Sequence, residues 1–447
     1  MLRTLFITIL LTVPFLAQAQ TSISIEDAIQ IALENNYQLK QAENNLAISD
    51  NAVLNARADF LPSLSASYNG TRRIGQQFDQ TTVTFENVTT NTMGGNLNSS
   101  VTIFNGFNNI NSLRRANTNR SIQQEDSQRL RENIIFTTAS RFLQVVLNEE
   151  LLKISRENLS VSEQQYARIE AQVEVGRSPN VDLLNQASIV ANEELTVIQR
   201  ENALESSIAQ LMRIMQDESG TEYTLMMPEV EDLQLIPLDL NLQELIQTAL
   251  QNRRDLRAQQ LTIERNQYDE AIARANLLPT INASIGISGS YNDRFRDIDG
   301  QPLNYSTQFF DRNVNRFIGF NVQIPIFDNL NRRTNLQNTQ ITLKNSQLEL
   351  DNIRFQVNEE VRQAYNDYMS IVKELESTEK ALIAAERAYE TEFQRYEVGA
   401  STLIELNQAN ANFVQAQSNR IQTIYNFIFQ EKVLDFYLGQ LTASVEL

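Results

Sequence analysis

Residues 350–396 read LDNIRFQVNEEVRQAYNDYMSIVKELESTEKALIAAERAYETEFQRY. Leu350, Ile353, Val357, Val361, Ala364, Tyr368, Ile371, Leu375, Thr378, Leu382, Ala385, Tyr389, Glu392 and Tyr396 follow one another at steps of three or four, almost always in alternation. Such a seam is the signature of a long helix that packs against others in coiled-coil fashion. The stretch lies within 73 residues, 326–398, that contain neither Gly nor Pro. At about 1.5 Å per residue a helix of that length spans on the order of 100 Å. Ordinary globular helices average roughly 11–12 residues.

The rest of the chain is organised around similar stretches. It has 13 Gly and 8 Pro in 447 residues, below the roughly 7% and 5% of average usage. The breaker-free stretches are 21–61, 107–175 and 180–219, then 238–278, 326–398 and 400–438. Their lengths, 41, 69 and 40 followed by 41, 73 and 39, repeat as a triplet and announce a duplication. An offset of 217 pairs Ile29, Gln30, Ala32, Leu33, Asn35 and Leu39 with Ile246, Gln247, Ala249, Leu250, Asn252 and Leu256. It also pairs Arg57, Ala58, Leu61 and Pro62 with Arg274, Ala275, Leu278 and Pro279. Beyond the breaker blocks the offset becomes 223, pairing Phe104 with Phe327, Tyr166 with Tyr389, and Val175-Gly176 with Val398-Gly399. A net insertion of six residues inside the second block accounts for the change. Two tandem repeats are thus expected, 20–217 and 241–447, joined by a linker over 218–240 that carries Pro228 and Pro237. The first repeat keeps a sparser seam, with Leu130, Ile134, Val145, Leu152, Leu159, Tyr166, Ile169 and Val173.

The breaker blocks, about 62–104 and 279–327, read as strand hairpins. Ile281, Ala283, Ile285, Ile287, Gly289 and Tyr291 alternate with polar residues. So do Leu64, Ala66 and Tyr68, then Leu97 and Val101, then Ile318, Phe320, Val322 and Ile324. Four strands of about 10 residues, apolar on one face and polar on the other, suit a transmembrane barrel. The reading leaves long polar loops at 70–92 and 293–314, and places Tyr291, Phe309, Phe310 and Phe317 in an interfacial aromatic girdle. Four strands cannot close a barrel, and an open edge is not tolerated in lipid. Symmetric assembly of two, three or four copies would supply eight, twelve or sixteen strands.

Composition narrows the function. There is no Cys, His or Trp, so thiolate chemistry, disulfides and histidine general bases are ruled out. No cofactor or metal is expected, and the chain does not read as an enzyme; a periplasmic carboxylate hydrolase would need a pocket domain that the repeats leave no room for. A net charge of −18 argues against nucleic acid. Residues 1–19 read as a secretory signal, with Arg3 before the apolar run Leu5 to Leu16 and Ala17-Gln18-Ala19 as the cleavage site. A secreted structural coiled-coil protein is the alternative reading.

The ordered set resembles the TolC family of outer-membrane efflux and secretion channels, over Ser24 to about Leu441. The residues that carry the resemblance are Arg57 to Pro62 and Arg274 to Pro279 before the strands, and Phe104-Asn105-Gly106 and Phe327-Asp328-Asn329 after them. Two Val-Gly turns, each followed six residues after Gly by an acid, complete it. The resemblance implies a mainly α fold with a membrane β part. Each chain would give four strands to a trimeric, twelve-stranded outer-membrane barrel, continued by a long periplasmic α-helical barrel. It implies an exit duct of a tripartite efflux or type I secretion system, with a periplasmic adaptor and an inner-membrane pump of RND, ABC or MFS type as partners. The tips Val175-Gly176-Arg177 and Val398-Gly399-Ala400, in turns 176–180 and 399–402, would contact the adaptor. Asp182 and Glu405 correspond to the family's tunnel mouth, and Tyr396 to a tyrosine that links to the Asp182 position when the tip is closed. The sequence departs from the best-known pattern at two places: Ser401 stands where an Arg is expected, and Gln408 where the ring has its second acid. Arg177 is a candidate substitute cation.

Overall fold

A computed structural model describes residues 21–79, 83–217, 223–226 and 235–441. The expected signal segment and much of the 218–240 linker, Pro228 included, lie outside the described residues. In chain order the elements are β1 (Thr21–Ile23), α1 (Ile25–Asn35), α2 (Tyr37–Ala58), β2 (Ser63–Asp79), β3 (Thr84–Phe104), α3 (Asn108–Glu174), α4 (Asn180–Met215) and β4 (Tyr223–Leu225). There follow α5 (Leu242–Asn252), α6 (Arg254–Ala275), β5 (Thr280–Asn292), the short α7 (Tyr305–Thr307) running into a π-type turn at Gln308–Arg312, β6 (Asn315–Gln323), α8 (Asn331–Glu397) and α9 (Leu403–Leu438). The long helices of the two repeats have identical lengths: 11, 22, 67 and 36 residues in each. They start 217 residues apart before the strands and 223 apart after them. The fold is mainly α, in two tandem repeats, with one four-stranded sheet.

The described residues divide into two compact units, one made of those up to Gln41, those between Ser127 and Arg254 and those from Arg354 onward, the other of those between Ala42 and Asp126 and Asp255–Ile353. The first unit holds the main hydrophobic core, around Phe142, Tyr368 and Phe427, all fully buried. The Tyr368 hydroxyl accepts a hydrogen bond from the Leu238 backbone N–H (2.8 Å), which fixes the chain ahead of the second repeat. All fourteen seam positions of α8 are buried or half-buried, as the period demands. In the first 41-residue stretch the helix breaks at Asn36, without a Gly or Pro. There the Asn36 side chain accepts from the N–H groups of Gln38 (2.9 Å) and Leu39 (3.1 Å) and so caps a new helix. The second repeat breaks at the matching Arg253. The parallel pair β1–β4, joining Thr21–Ile23 to Tyr223–Leu225, is a further element that helical spacing does not announce.

In the second unit the sheet order is β2-β3-β5-β6, antiparallel throughout. Its register places Leu64, Ala66, Tyr68, Leu97, Val101, Ile281, Ile285, Ile287, Ile318, Phe320 and Val322 on one face, with Ser99 among them, and Ser63, Ser65, Ser67, Asn96, Asn98, Asn282 and Ser284 on the other. Two expectations are corrected. The 70–92 segment is not a loop: the ladder runs from Gly70↔Met93 out to Asp79↔Thr84. Thr71, Ile74, Phe78, Phe85, Val88, Thr89 and Thr90 give it the β-branched and aromatic content of a strand, which outweighs its polarity. Phe317 pairs with Gly286 and lies on the polar face, its ring over that glycine, so it is no part of the girdle. Phe309 does sit on the apolar face, over Gly95 and Gly289 beside Tyr68.

Several carboxylates in helices are partly buried. Burial pushes Glu431 and Asp435 of α9 above the usual carboxylate range, Lys432 working against it in both cases. Glu149 is raised by burial and by Glu150. A folded-state pKa above the unfolded one disfavours folding once the group is charged, so its contribution is favourable below the unfolded value and is lost as pH rises through the folded one. Groups held low, such as Glu270 and Glu376, act only below about 4.5, the ordinary glutamate range. Thermal unfolding is therefore expected at a higher temperature at mildly acidic than at neutral pH. Glu431→Gln combined with Asp435→Asn should shrink that difference; an unchanged pH profile would show that these two groups do not set it.

Candidate functional site: the helix turns

Both 67-residue helices end in the same way. Gly176 (φ 73°) and Gly399 (φ 74°) take the left-handed conformation that reverses the chain. Arg177 N–H donates to Gln172 O (2.8 Å) and Gly176 N–H to Val173 O (2.9 Å). Ala400 N–H donates to Arg395 O (2.8 Å) and Gly399 N–H to Tyr396 O (3.0 Å). These paired bonds are the Schellman ending of a helix. Val175 and Val398 are left 68% and 79% exposed at the turns, apolar surface with nothing of its own chain to cover it.

The following helices differ at their N-termini. Thr402 caps α9, its Oγ1 accepting from the Glu405 N–H (3.3 Å). The Glu405 carboxylate reaches back to the Thr402 N–H (2.8 Å) and to the Ser401 and Thr402 hydroxyls (3.0 Å each). The backbone bond from Thr402 above all holds the Glu405 carboxyl below the usual range, and it is charged at neutral pH. Asp182 occupies the same third position of α4, but the cap there is Pro179, with no side-chain cap and no N–H to offer. Its carboxylate is not drawn into the helix end. It acts instead on Tyr396, whose hydroxyl is raised by burial first and by the Asp182 charge next, the Gln165 amide and Arg168 guanidinium pulling it back. Removing the α9 cap with Thr402→Ala should cost about 1 kcal/mol of local stability, read as faster amide exchange at Leu403 to Glu405.

Asp182 thus acts on Tyr396 through its charge alone, while Glu405 is exposed and self-capped. Gln408 is exposed and bonds along its own helix to Asn412 (3.1 Å). Arg177 is exposed and makes no ion pair among the described residues. The cations at the turns are others. Arg395 bonds Glu392 (2.8 Å) and the Ala400 carbonyl (3.2 Å), bracing the second turn. Arg168 pairs with Glu397 (3.6 Å) and lies over the Phe393 ring. Arg168, Gln165 and Arg395 were not singled out in the sequence. Their signal is divergence between the repeats: the 223 offset sets Thr391 against Arg168, Ala388 against Gln165, and Gln172 against Arg395.

An amphipathic four-stranded sheet with two free edges, carried by long helices of which none described is apolar enough to cross a membrane, defines a subunit of an outer-membrane channel. The chain belongs to the outer membrane efflux protein family, whose profile matches residues 28–215 and 245–440. It is 22% identical to outer membrane efflux protein BepC of Brucella suis, over 96% of this chain and 88% of that one. It is also 22% identical to outer membrane protein TolC of Vibrio cholerae, over 72% of each. Among solved structures it superposes on CusC with a TM-score of 0.81, at 19% identity, over 94% of this chain and 93% of that one. The family is one of outer-membrane channel proteins, and the chain is an outer-membrane protein.

Proposed function

We propose that this chain is one subunit of a trimeric exit duct of a tripartite efflux or type I secretion system. The duct passively conducts substrates from a periplasmic adaptor and inner-membrane pump, of RND, ABC or MFS type, to the exterior. The observation that carries the reading is the sheet, whose two outer strands, β2 and β6, are free to pair with other copies. In lipid those edges must be closed; three copies make twelve strands, and the family favours three over two or four. The helical part stands in the periplasm, and the bare valines of the Val175-Gly176-Arg177 and Val398-Gly399-Ala400 turns supply apolar surface for the adaptor. Asp182 and Tyr396 form the closing link, and Glu405 gives a ring of fixed negative charge at the mouth, with Gln408 a neutral second position.

Light scattering of the detergent-solubilised protein should give three chains, and planar bilayers should show cation-preferring pores. Glu405→Gln should weaken that preference without unfolding the helix end, since glutamine also serves in a capping box. A monomer, or the absence of conductance, would defeat the duct; unchanged selectivity would defeat the ring.

A further inference from the structure

Arg316 is a cation on the apolar face of the sheet. It pairs with Ile287, Ile287 with Leu97, and Leu97 with Ala66, so it stands at the end of an otherwise apolar row. Its side chain is exposed and makes no ion pair or hydrogen bond among the described residues. Arg312, the last residue of the π-type turn, is exposed and unpaired in the same way.

Two features fix the height of Arg316 in a bilayer. The strand ends joined to α2, α3, α6 and α8 face the periplasm, so Arg316, at the opposite end of β6, lies toward the exterior. In the next row outward Phe309 covers Gly95 and Gly289 beside Tyr68. It stacks on Tyr305 (5.0 Å between centroids), which meets Tyr291 (5.4 Å). Aromatic clusters of this kind mark the membrane–water boundary of a barrel. On the periplasmic side Ile318, Phe320, Val322, Ile324 and Ile326 are all exposed. At about 3.4 Å per residue and a tilt of about 40°, the ten residues from Arg316 to Ile326 rise about 26 Å, which matches the roughly 25 Å apolar band of membrane barrels.

Arg316 therefore sits at the outer edge of the lipid-facing band, and closing the barrel brings it no counter-ion. Residues opposite one another in a ladder share a face. Pairing of β6 with β2 of the next copy would set Arg316 against the outward residues of β2, every second one from Leu64 to Phe78, and none of these is acidic.

We propose, resting on the duct reading above, that Arg316 holds the phosphate of an outer-leaflet lipid against the rim of the barrel. A guanidinium offers a phosphate two parallel N–H donors. Its stem can lie along apolar surface while its head reaches the headgroup layer that flanks the hydrocarbon core. The exposed Ile318 and Phe320 next to it give acyl chains a surface, which a free anion would leave uncovered.

The test is native mass spectrometry of the full-length protein in detergent with added didecanoyl phosphatidic acid. Didecanoyl phosphatidylcholine is the counterpart whose phosphate carries a cationic choline. The wild type should retain up to three phosphatidic acid molecules per trimer, at least tenfold more tightly than phosphatidylcholine. Arg316→Gln should weaken that retention at least fivefold, and Arg316→Lys, which keeps the charge, should restore most of it. Arg73→Gln, on the inward face of β2, should leave it unchanged. The same spectra count chains separately from adducts, so loss of the trimer would defeat the duct while Arg316-dependent adducts are still scored on the species present. Equal retention of the two lipids, or an Arg316→Gln protein that binds as wild type, would overturn the proposal. So would an equal loss in Arg73→Gln, or displacement of the lipid by millimolar inorganic phosphate.

Discussion

Asp182→Asn is expected to shift the opening equilibrium of the reconstituted channel toward open by up to roughly a hundredfold, while Glu405→Gln leaves it near wild type and alters only ion preference. The two acids occupy the same position of their helices, and their caps separate them. Glu405 spends its carboxylate on Thr402 and Ser401. Asp182 follows Pro179, which has nothing to donate, and its charge falls on Tyr396. If each Asp182–Tyr396 link in a trimer contributes about 1 kcal/mol, three bear on one opening equilibrium. Losing about 3 kcal/mol shifts such an equilibrium by roughly a hundredfold, at about 1.4 kcal/mol per factor of ten. Tyr396→Phe should reproduce the effect, and the double variant should add little, because both remove one interaction. Single-channel recording decides: an Asp182→Asn channel that gates as wild type, or a double variant that doubles the effect, would refute the link.

How far the sequence spoke depended on the kind of signal. The 67-residue helices and the duplication were legible because strands and turns need Gly or Pro far more often than once in such lengths, leaving helix as the state that fits. The 217 and 223 offsets recur between the observed helix starts. The break at Asn36 was hidden, because an asparagine cap interrupts a helix as effectively as a breaker yet is common elsewhere. The outer half of the first hairpin was read as loop because Arg72, Gln76, Asn87 and Asn91 interrupt the face that carries Ile74, Phe78 and Phe85, and alternation is hard to see on a face so broken. At the turns, Gly176 and Gly399 were legible from their spacing. The unequal roles of Asp182 and Glu405 were not, although Pro179 against Thr402 stood in the sequence as the clue.

The largest stability effect is expected where the first hairpin hands over to α3. Gly106 and Phe107 are consecutive left-handed residues (φ 68° each), and Asn329 and Leu330 repeat the device in the second copy (φ 57° and 67°). A Cβ on Gly106 would lie 2.7 Å from the Ala275 carbonyl oxygen and 3.1 Å from its Cα, both backbone atoms at the end of α6. The left-handed conformation costs about 1–2 kcal/mol for an ordinary residue, and relieving the clash requires α6 to shift as well. Gly106→Ala should therefore destabilise by about 3 kcal/mol or more, read from thermal unfolding. Gly176→Ala has a similar φ but open space around it, so only the torsional part remains, about 1 kcal/mol. Gly106→Asn separates the two causes: asparagine tolerates the left-handed region, as Asn329 does in the second copy, but still carries the Cβ. It should be nearly as damaging as alanine. Near-normal stability of Gly106→Asn would mean that torsion alone, and not the approach of α6, makes glycine necessary there.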